Sequence, residues 1–417
     1  MNAEIIAVGS ELLTPYRVDT NSLYLTGELN MLGIRVMQKT IVGDDRAHLR
    51  EAFRAGIERA DVVISCGGLG PTEDDLTREA VAELLGRKLK RNDEILRGIQ
   101  ERFRKFGRAM PEINVKQAMV PEGAVPLENS RGTAPGLWME AGGKVIILLP
   151  GPPTEMQGIF EKEIRPRLAR TSGKLRLFTR DLRITGMTES DAEQRVAPIY
   201  TEYSGAETTI LASPGEIQLH PRVWSEDEVA ATKLLDEMVK RFTLALGEKL
   251  FSTAGEALEE VVARSLQENQ ATIAVAESCT GGMLAERLTN VPGSSSYFRG
   301  GVVSYSNDLK TMWADVPKEL IEAKGAVSSE VALAMADGIR KRTGSTLGLG
   351  VTGIAGPGGG TPEKPVGLVH IAIADELGPR ELTFRFPGDR DRIRRQASQA
   401  ALDMVRRHFL YETRAKA

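Results

Sequence analysis

Asp61-Val62-Val63-Ile64-Ser65-Cys66-Gly67-Gly68-Leu69-Gly70-Pro71-Thr72-Glu73-Asp74-Asp75 opens as an apolar run and ends as a glycine-rich turn. A short apolar run bounded by turn residues fits a strand buried on both faces. The second half of the chain repeats the layout: the run Thr272–Ala276 leads into Glu277-Ser278-Cys279-Thr280-Gly281-Gly282. A strand that ends in such a turn before a helix exposes backbone N–H groups at the positive end of the helix dipole. Both stretches therefore read as phosphate-type loops, and two pockets for phosphorylated metabolites are predicted.

Outward from the first loop, residues 1–170 alternate strand and helix. The pattern predicts a strand at Glu4–Val8, a helix from Thr20 to Leu32, a strand over 34–42, a helix over 46–59, helices at Thr77–Leu85 and 92–106, and a hairpin through Trp138-Met139-Glu140 and 145–149. Pro150-Gly151-Pro152-Pro153 closes that strand and opens a helix. Such alternation favours a parallel sheet with helices on both faces. A composition shift at Arg170-Thr171-Ser172-Gly173-Lys174 marks a boundary. The next segment predicts a strand at Leu175–Ile184, a helix capped by Thr188, two strands around Ser213-Pro214-Gly215-Glu216, and a helix opened by Ser225 with Leu235, Met238, Val239, Phe242 and Leu246 on one face. From 255 the α/β pattern resumes. The fold class expected is α/β and multi-domain: two three-layer α/β domains, 1–170 and 253–417, joined by a small α+β, KH-like module, 171–252. No Gly-x-x-Gly clamp occurs between that module's helices, so a spacer or dimerisation role is preferred to RNA binding.

Composition sets the class. At about 150 residues per domain, 417 residues make about three domains. Charged residues at 27% and a net charge of −3 give no reason to expect bulk nucleic-acid binding. Met1-Asn2-Ala3-Glu4 runs straight into Ile5 with no basic leader, and no stretch of about 18 apolar residues occurs, so a cytoplasmic, soluble protein is expected. Cys66 and Cys279 fall in different domains, which argues against a structural disulfide. The four histidines are scattered and offer no zinc spacing; a metal would be a hard ion held by carboxylates and phosphate.

In the first loop, Gly68 and Gly70 allow close backbone approach, Thr72 supplies a hydroxyl, and Asp74 and Asp75 stand where acids could hold hydrated Mg²⁺ against phosphate. The alternative is a tight turn with Asp74 or Asp75 as a helix cap. Three further loops fall at strand ends, where open α/β sheets place ligands: Gly9-Ser10-Glu11-Leu12-Leu13, Ser130-Arg131-Gly132-Thr133-Ala134-Pro135-Gly136, and Pro150-Gly151-Pro152-Pro153-Thr154-Glu155. Their candidate ligand contacts are Gly132, Thr133 and Glu155. In this order the four loops resemble the amino-terminal domain of the CinA (competence/damage-inducible) proteins, which is related in fold to molybdopterin-binding domains. Ser10 stands where that family usually has Asp. The resemblance implies an ADP-ribose pyrophosphatase dependent on a divalent metal such as Mg²⁺, with Asp74 and Asp75 as its acids; a pterin-binding or non-catalytic nucleotide domain is the alternative.

In the second half, Ser278 sits at a strand-to-helix turn beside helix-start N–H groups, an arrangement suited to a nucleophile near an oxyanion hole, although serine there also serves as a cap. Tyr305 and Lys310 in Tyr305-Ser306-Asn307-Asp308-Leu309-Lys310 are the partner candidates, Lys310 being the general base available in the absence of a nearby histidine. Their alternatives are a packing tyrosine and an exposed lysine. Thr352-Gly353-Ile354-Ala355-Gly356-Pro357 adds a glycine-rich loop at a strand end. Together these motifs resemble the carboxy-terminal CinA domain, and with the N-terminal loops the resemblance covers essentially the whole chain. It implies a nicotinamide-nucleotide amidase that converts nicotinamide mononucleotide (NMN) to nicotinic acid mononucleotide and ammonia without a cofactor. Ser278 is then the nucleophile, Lys310 the base and Tyr305 an orienter or proton carrier, with Thr280, Gly281, Gly282, Thr352, Gly353 and Gly356 near substrate. Cys279, adjacent, reads as a small neighbour filling the turn. NMN and ADP-ribose are the expected small-molecule partners, with no membrane or nucleic acid, in a homodimer. A different class of reading is a non-enzymatic nucleotide sensor linked to competence or DNA damage.

Overall fold

The computed structural model describes residues 1–416, with side chains through residue 411. The chain forms two compact units: Met1–Phe178 with Trp224–Ala231, and Thr179–Val223 with the chain from Thr232 onward.

The first unit is built on a six-stranded sheet in the order Arg35–Val42, Asn2–Val8, Val62–Cys66, Lys144–Leu149, Gly136–Ala141, Val125–Leu127. The first four strands are parallel and the last two antiparallel. Helices cover both faces. Ala3, Ile5, Ile64 and Ile147 pack with Leu25, Leu29 and Phe160 on one side, while Ile6, Val63 and Ile146 pack with Leu49, Phe53 and Val81 on the other. This period-two split of continuous apolar strands gives the three-layer architecture expected.

In the second unit, an antiparallel sheet runs in the order Glu207–Ser213, Glu216–Ser225, Leu182–Thr185, Leu250–Ser252. Leu235, Met238, Phe242 and Leu246 of helix Glu228–Leu246 are buried, as their spacing predicts, with Val239 half-buried. The expected strand Leu175–Ile184 is broken in two, Arg176–Thr179 and Leu182–Thr185. Ser225 ends a strand; the cap of the following helix is Asp227, whose Oδ1 accepts from the Ala230 N–H at 3.0 Å. The C-terminal sheet runs Phe298–Val303, Ile273–Glu277, Leu347–Gly353, Leu368–Asp375, Gly378–Arg385, with the first three strands parallel and the last two antiparallel. Ile273 and Val275 face Leu258, Val262 and Leu402 on one side; Ala274 and Ala276 face Ala314, Val331 and Met335 on the other. Among the described residues, no helix is long and apolar enough to cross a membrane.

Candidate active sites

The parallel strands of each main sheet end together, and their loops meet there. In the first unit the loops after Asn2–Val8, Val62–Cys66 and Lys144–Leu149 wall a cleft of about 610 Å³. Gly68, Gly70, Thr72, Asp74, Asp75, Thr133 and Glu155 line it. Gly132 does not. It borders a second cleft of about 750 Å³ beside helix Asp93–Lys105, and its N–H donates to Asn129 Oδ1 at 2.8 Å. A Cβ at Gly132 would stand 1.7 Å from Glu155 Oε2, so glycine there lets the loop close on Glu155. Asn129, not singled out in the sequence, organises this loop: its amide also donates to Glu155 Oε2 at 2.7 Å and to the Ala134 carbonyl at 2.8 Å.

Asp75 spends one carboxylate oxygen on the N–H and hydroxyl of Thr72, which closes the turn; neither Asp74 nor Asp75 caps the helix that follows, whose N-cap position is Leu76 with no side-chain cap bond. Ser10 pairs reciprocally with Asp44: its N–H donates to Asp44 Oδ2 at 2.7 Å, and its Oγ accepts from the Asp44 N–H at 3.0 Å. The cleft wall is acidic. Glu11, Asp19, Asp44, Asp74, Asp75 and Glu155 line it against Arg17 as the lining cation. Among the described residues no three His, Cys, Asp or Glu side chains form a preassembled metal cage. The carboxylates of this wall still fit Mg²⁺, which takes one or two of them plus phosphate and keeps its waters.

In the second unit, strand Ile273–Glu277 ends at Ser278, whose N–H donates to the Val351 carbonyl at 2.9 Å. Helix Asn307–Ala314 carries Lys310 back beneath the turn. Lys310 is 2% exposed, and its Nζ lies 3.1 Å from Ser278 Oγ, 2.9 Å from the Ser304 carbonyl and 3.2 Å from the Tyr305 carbonyl. The two carbonyls can only accept. A neutral amine satisfies both with its two N–H groups and turns its lone pair to the serine hydroxyl. Burial drives the lysine below its ordinary pKa. Cys279 is itself buried, and desolvation pushes its thiol up to about 12, so it stays protonated at neutral pH.

The second loop is not a free phosphate site. Glu277, fully buried, turns its carboxylate onto the start of helix Met283–Thr289: Oε2 accepts from the N–H of Gly282 at 3.0 Å and of Leu284 at 3.1 Å, and Oε1 from Ala285 at 2.8 Å. The helix end already holds an anion of its own. The Gly281 N–H is also spent, on the Ser278 carbonyl at 3.1 Å, so neither Gly281 nor Gly282 has an amide to offer substrate. Glu277→Ala would leave three donors without this acceptor, the Leu284 N–H buried and those of Gly282 and Ala285 half-buried. A loss of roughly 3 kcal/mol in the stability of this unit is expected, read as a lowered thermal midpoint.

Thr352 and Gly353 also hold the scaffold. The Thr352 hydroxyl donates to the Ala326 carbonyl at 2.7 Å, and a Cβ at Gly353 would meet the Leu368 carbonyl at 2.7 Å. Thr280 gives its carbonyl to Arg394, through Nε at 3.1 Å and Nη2 at 2.8 Å, while its buried hydroxyl has no partner. Tyr305 touches Lys310 through its carbonyl; its ring is 55% exposed, and its hydroxyl accepts from Arg390 Nη2 at 2.8 Å. Arg390 also donates to the Gly356 carbonyl at 2.9 Å.

Arg390 and Arg394 are the rim residues that reading the sequence missed. Their signal was present in Arg390-Asp391-Arg392-Ile393-Arg394-Arg395, because cations crowded into the first turns of a helix oppose its dipole.

Comparison with known proteins finds three family matches along the chain. The family described as probable molybdopterin binding domain matches residues 4–170, damage-inducible protein CinA KH domain matches 179–252, and CinA C-terminal domain matches 255–409. A CinA-like protein of Koribacter versatilis is 51% identical over 414 residues, covering 98% of this chain and 100% of that protein. One of Solibacter usitatus is 50% identical over 413 residues, covering 99% of each. Among solved structures, the protein CinA of Thermoplasma acidophilum is 38% identical, covering 40% of this chain and 96% of that one, with a TM-score of 0.38.

Proposed function

We propose, because this chain belongs to the CinA family, that its C-terminal domain hydrolyses NMN to nicotinic acid mononucleotide and ammonia, and that its N-terminal domain cleaves ADP-ribose with a divalent metal. The observation that carries the first half is the buried contact of 3.1 Å between Lys310 Nζ and Ser278 Oγ, with the other Lys310 bonds ending on carbonyls. Neutral Lys310 takes the Ser278 proton as Oγ attacks the carboxamide carbon. The same proton passes to the departing ammonia, and water then hydrolyses the acyl-serine ester, releasing nicotinic acid mononucleotide and restoring the Ser278 hydroxyl. The N–H groups of Cys279 and Thr280 have no carbonyl partner within the described residues and stand beside the nucleophile, where they suit the oxyanion. With the helix end closed by Glu277, the substrate phosphate falls to Arg390 and Arg394. The deciding experiment is ammonia release from NMN by the purified full chain; no release at millimolar NMN would overturn this reading.

In the N-terminal cleft, Asp74 and the free oxygen of Asp75 are the residues that would hold the metal. Bound there, it would offset the charge of the pyrophosphate against the acidic wall. Chelation with EDTA is expected to stop formation of AMP and ribose 5-phosphate from ADP-ribose while leaving ammonia release intact. Loss of ammonia release on chelation would contradict the Ser278–Lys310 mechanism.

A further inference from the structure

Three successive carbonyls of the loop after Val62–Cys66 are held from one side. The Gly67 carbonyl accepts the Thr77 hydroxyl at 3.0 Å, the Gly68 carbonyl the Thr77 N–H at 3.2 Å, and the Leu69 carbonyl Arg78 Nη2 at 3.1 Å. A trans peptide unit is planar, so fixing a C=O fixes the next residue's N–H on the opposite side. The N–H groups of Gly68, Leu69 and Gly70 therefore project away from helix Thr77–Leu84. None of them makes a hydrogen bond within the described residues, and all three residues line the 610 Å³ cleft. Glycine at 68 is required here, since a Cβ would stand 2.0 Å from Thr77 Oγ1.

We propose that these three N–H groups form an anion nest for a phosphate group of the N-terminal substrate, and that Arg78 is the positioning residue that holds it open. Arg78 does not line the cleft and acts only through the Leu69 carbonyl. It is 1% exposed, its Nε and Nη1 have no hydrogen-bond partner, and Glu79 approaches no closer than 3.8 Å. A guanidinium buried with so little compensation costs stability, so packing alone does not account for it. Its charge lies directly behind the nest, on the side opposite the ligand, in surroundings where charge is weakly screened.

The proposal rests on the N-terminal domain binding a phosphate ester, and its test separates the two claims by using inorganic pyrophosphate with Mg²⁺ in place of ADP-ribose. Titration calorimetry on the full chain is expected to show binding that Arg78→Met weakens about tenfold or more and that Arg78→Lys partly restores. Ammonia release and the thermal midpoint should not fall in Arg78→Met, because the change removes an under-paired buried charge and lies outside the C-terminal machinery. If Arg78→Met does not fold, Thr77→Val carries the test: it removes one carbonyl anchor and should weaken pyrophosphate severalfold. A folded Arg78→Met, or in its place a folded Thr77→Val, that binds like the parent would overturn the proposal, as would a parent chain that binds no pyrophosphate. Pyrophosphate binding that depends on Arg78 without ADP-ribose turnover would uphold the nest and sink the pyrophosphatase reading.

Discussion

Ser278→Ala is expected to lower ammonia release from NMN by on the order of 10³-fold or more, because the acyl-enzyme route needs the hydroxyl as its covalent nucleophile. Cys279→Ala should keep most of the activity. The thiol is buried and held up to about 12, so at neutral pH it carries almost no thiolate. Both changes are small and lie at one turn, so thermal midpoints close to the parent's are expected, and any difference in turnover can be read as chemistry. Single-turnover kinetics of the two variants side by side is the measurement. Comparable losses in both, or full activity in Ser278→Ala, would remove Ser278 from its role.

Lys310→Arg is expected to be as inactive as Lys310→Met, a loss of about 10²–10⁴-fold, since a guanidinium keeps its charge and cannot accept the Ser278 proton. Substantial recovery with arginine would instead make Lys310 a clamp for the substrate phosphate. The pH profile tests the same point. Burial lowers the lysine from its ordinary value, so ammonia release should rise with pH as Lys310 deprotonates, with a midpoint below about 10.4. The linkage has the same sign. Between the folded value and about 10.4 the unfolded chain binds the proton more readily, so this group's contribution to stability rises with pH across that window and is lost as pH falls through the folded value. A kcat/KM profile whose rising limb survives in Lys310→Met would assign that limb to another group.

The elements with long, regular apolar patterns were legible in the sequence. Val62–Cys66, Lys144–Leu149 and Arg46–Arg59 lie within a residue or two of where their periodicity puts them, because a strand or helix that must bury a whole face writes that face into its spacing. The three-residue strands Leu89–Arg91, Met119–Pro121 and Val125–Leu127 were not anticipated. They are too short to carry a period, and the strand partners that stabilise them lie across loops. The break between Thr179 and Leu182 went unseen for a related reason, since only cross-strand pairing registers it.

The sites divide in a similar way. Sequence alone determined which loops gather at the strand ends, and it singled out Ser278 and Lys310, because residue chemistry and strand-end position are both local properties. Which polar groups remain available to a ligand was decided only by tertiary structure. The carboxylate of Glu277 closes a helix end that reads as open, the hydroxyl of Thr352 is consumed by Ala326, and Gly132 serves Glu155. Conversely, Thr77 and Arg78 turn three peptide units so that Gly68, Leu69 and Gly70 face the cleft, and Arg390 comes beside Tyr305, 85 residues away in sequence. A hydrogen-bonding group is free or spent according to what the fold brings within about 3 Å of it, and that distance is set by packing between elements remote in the chain.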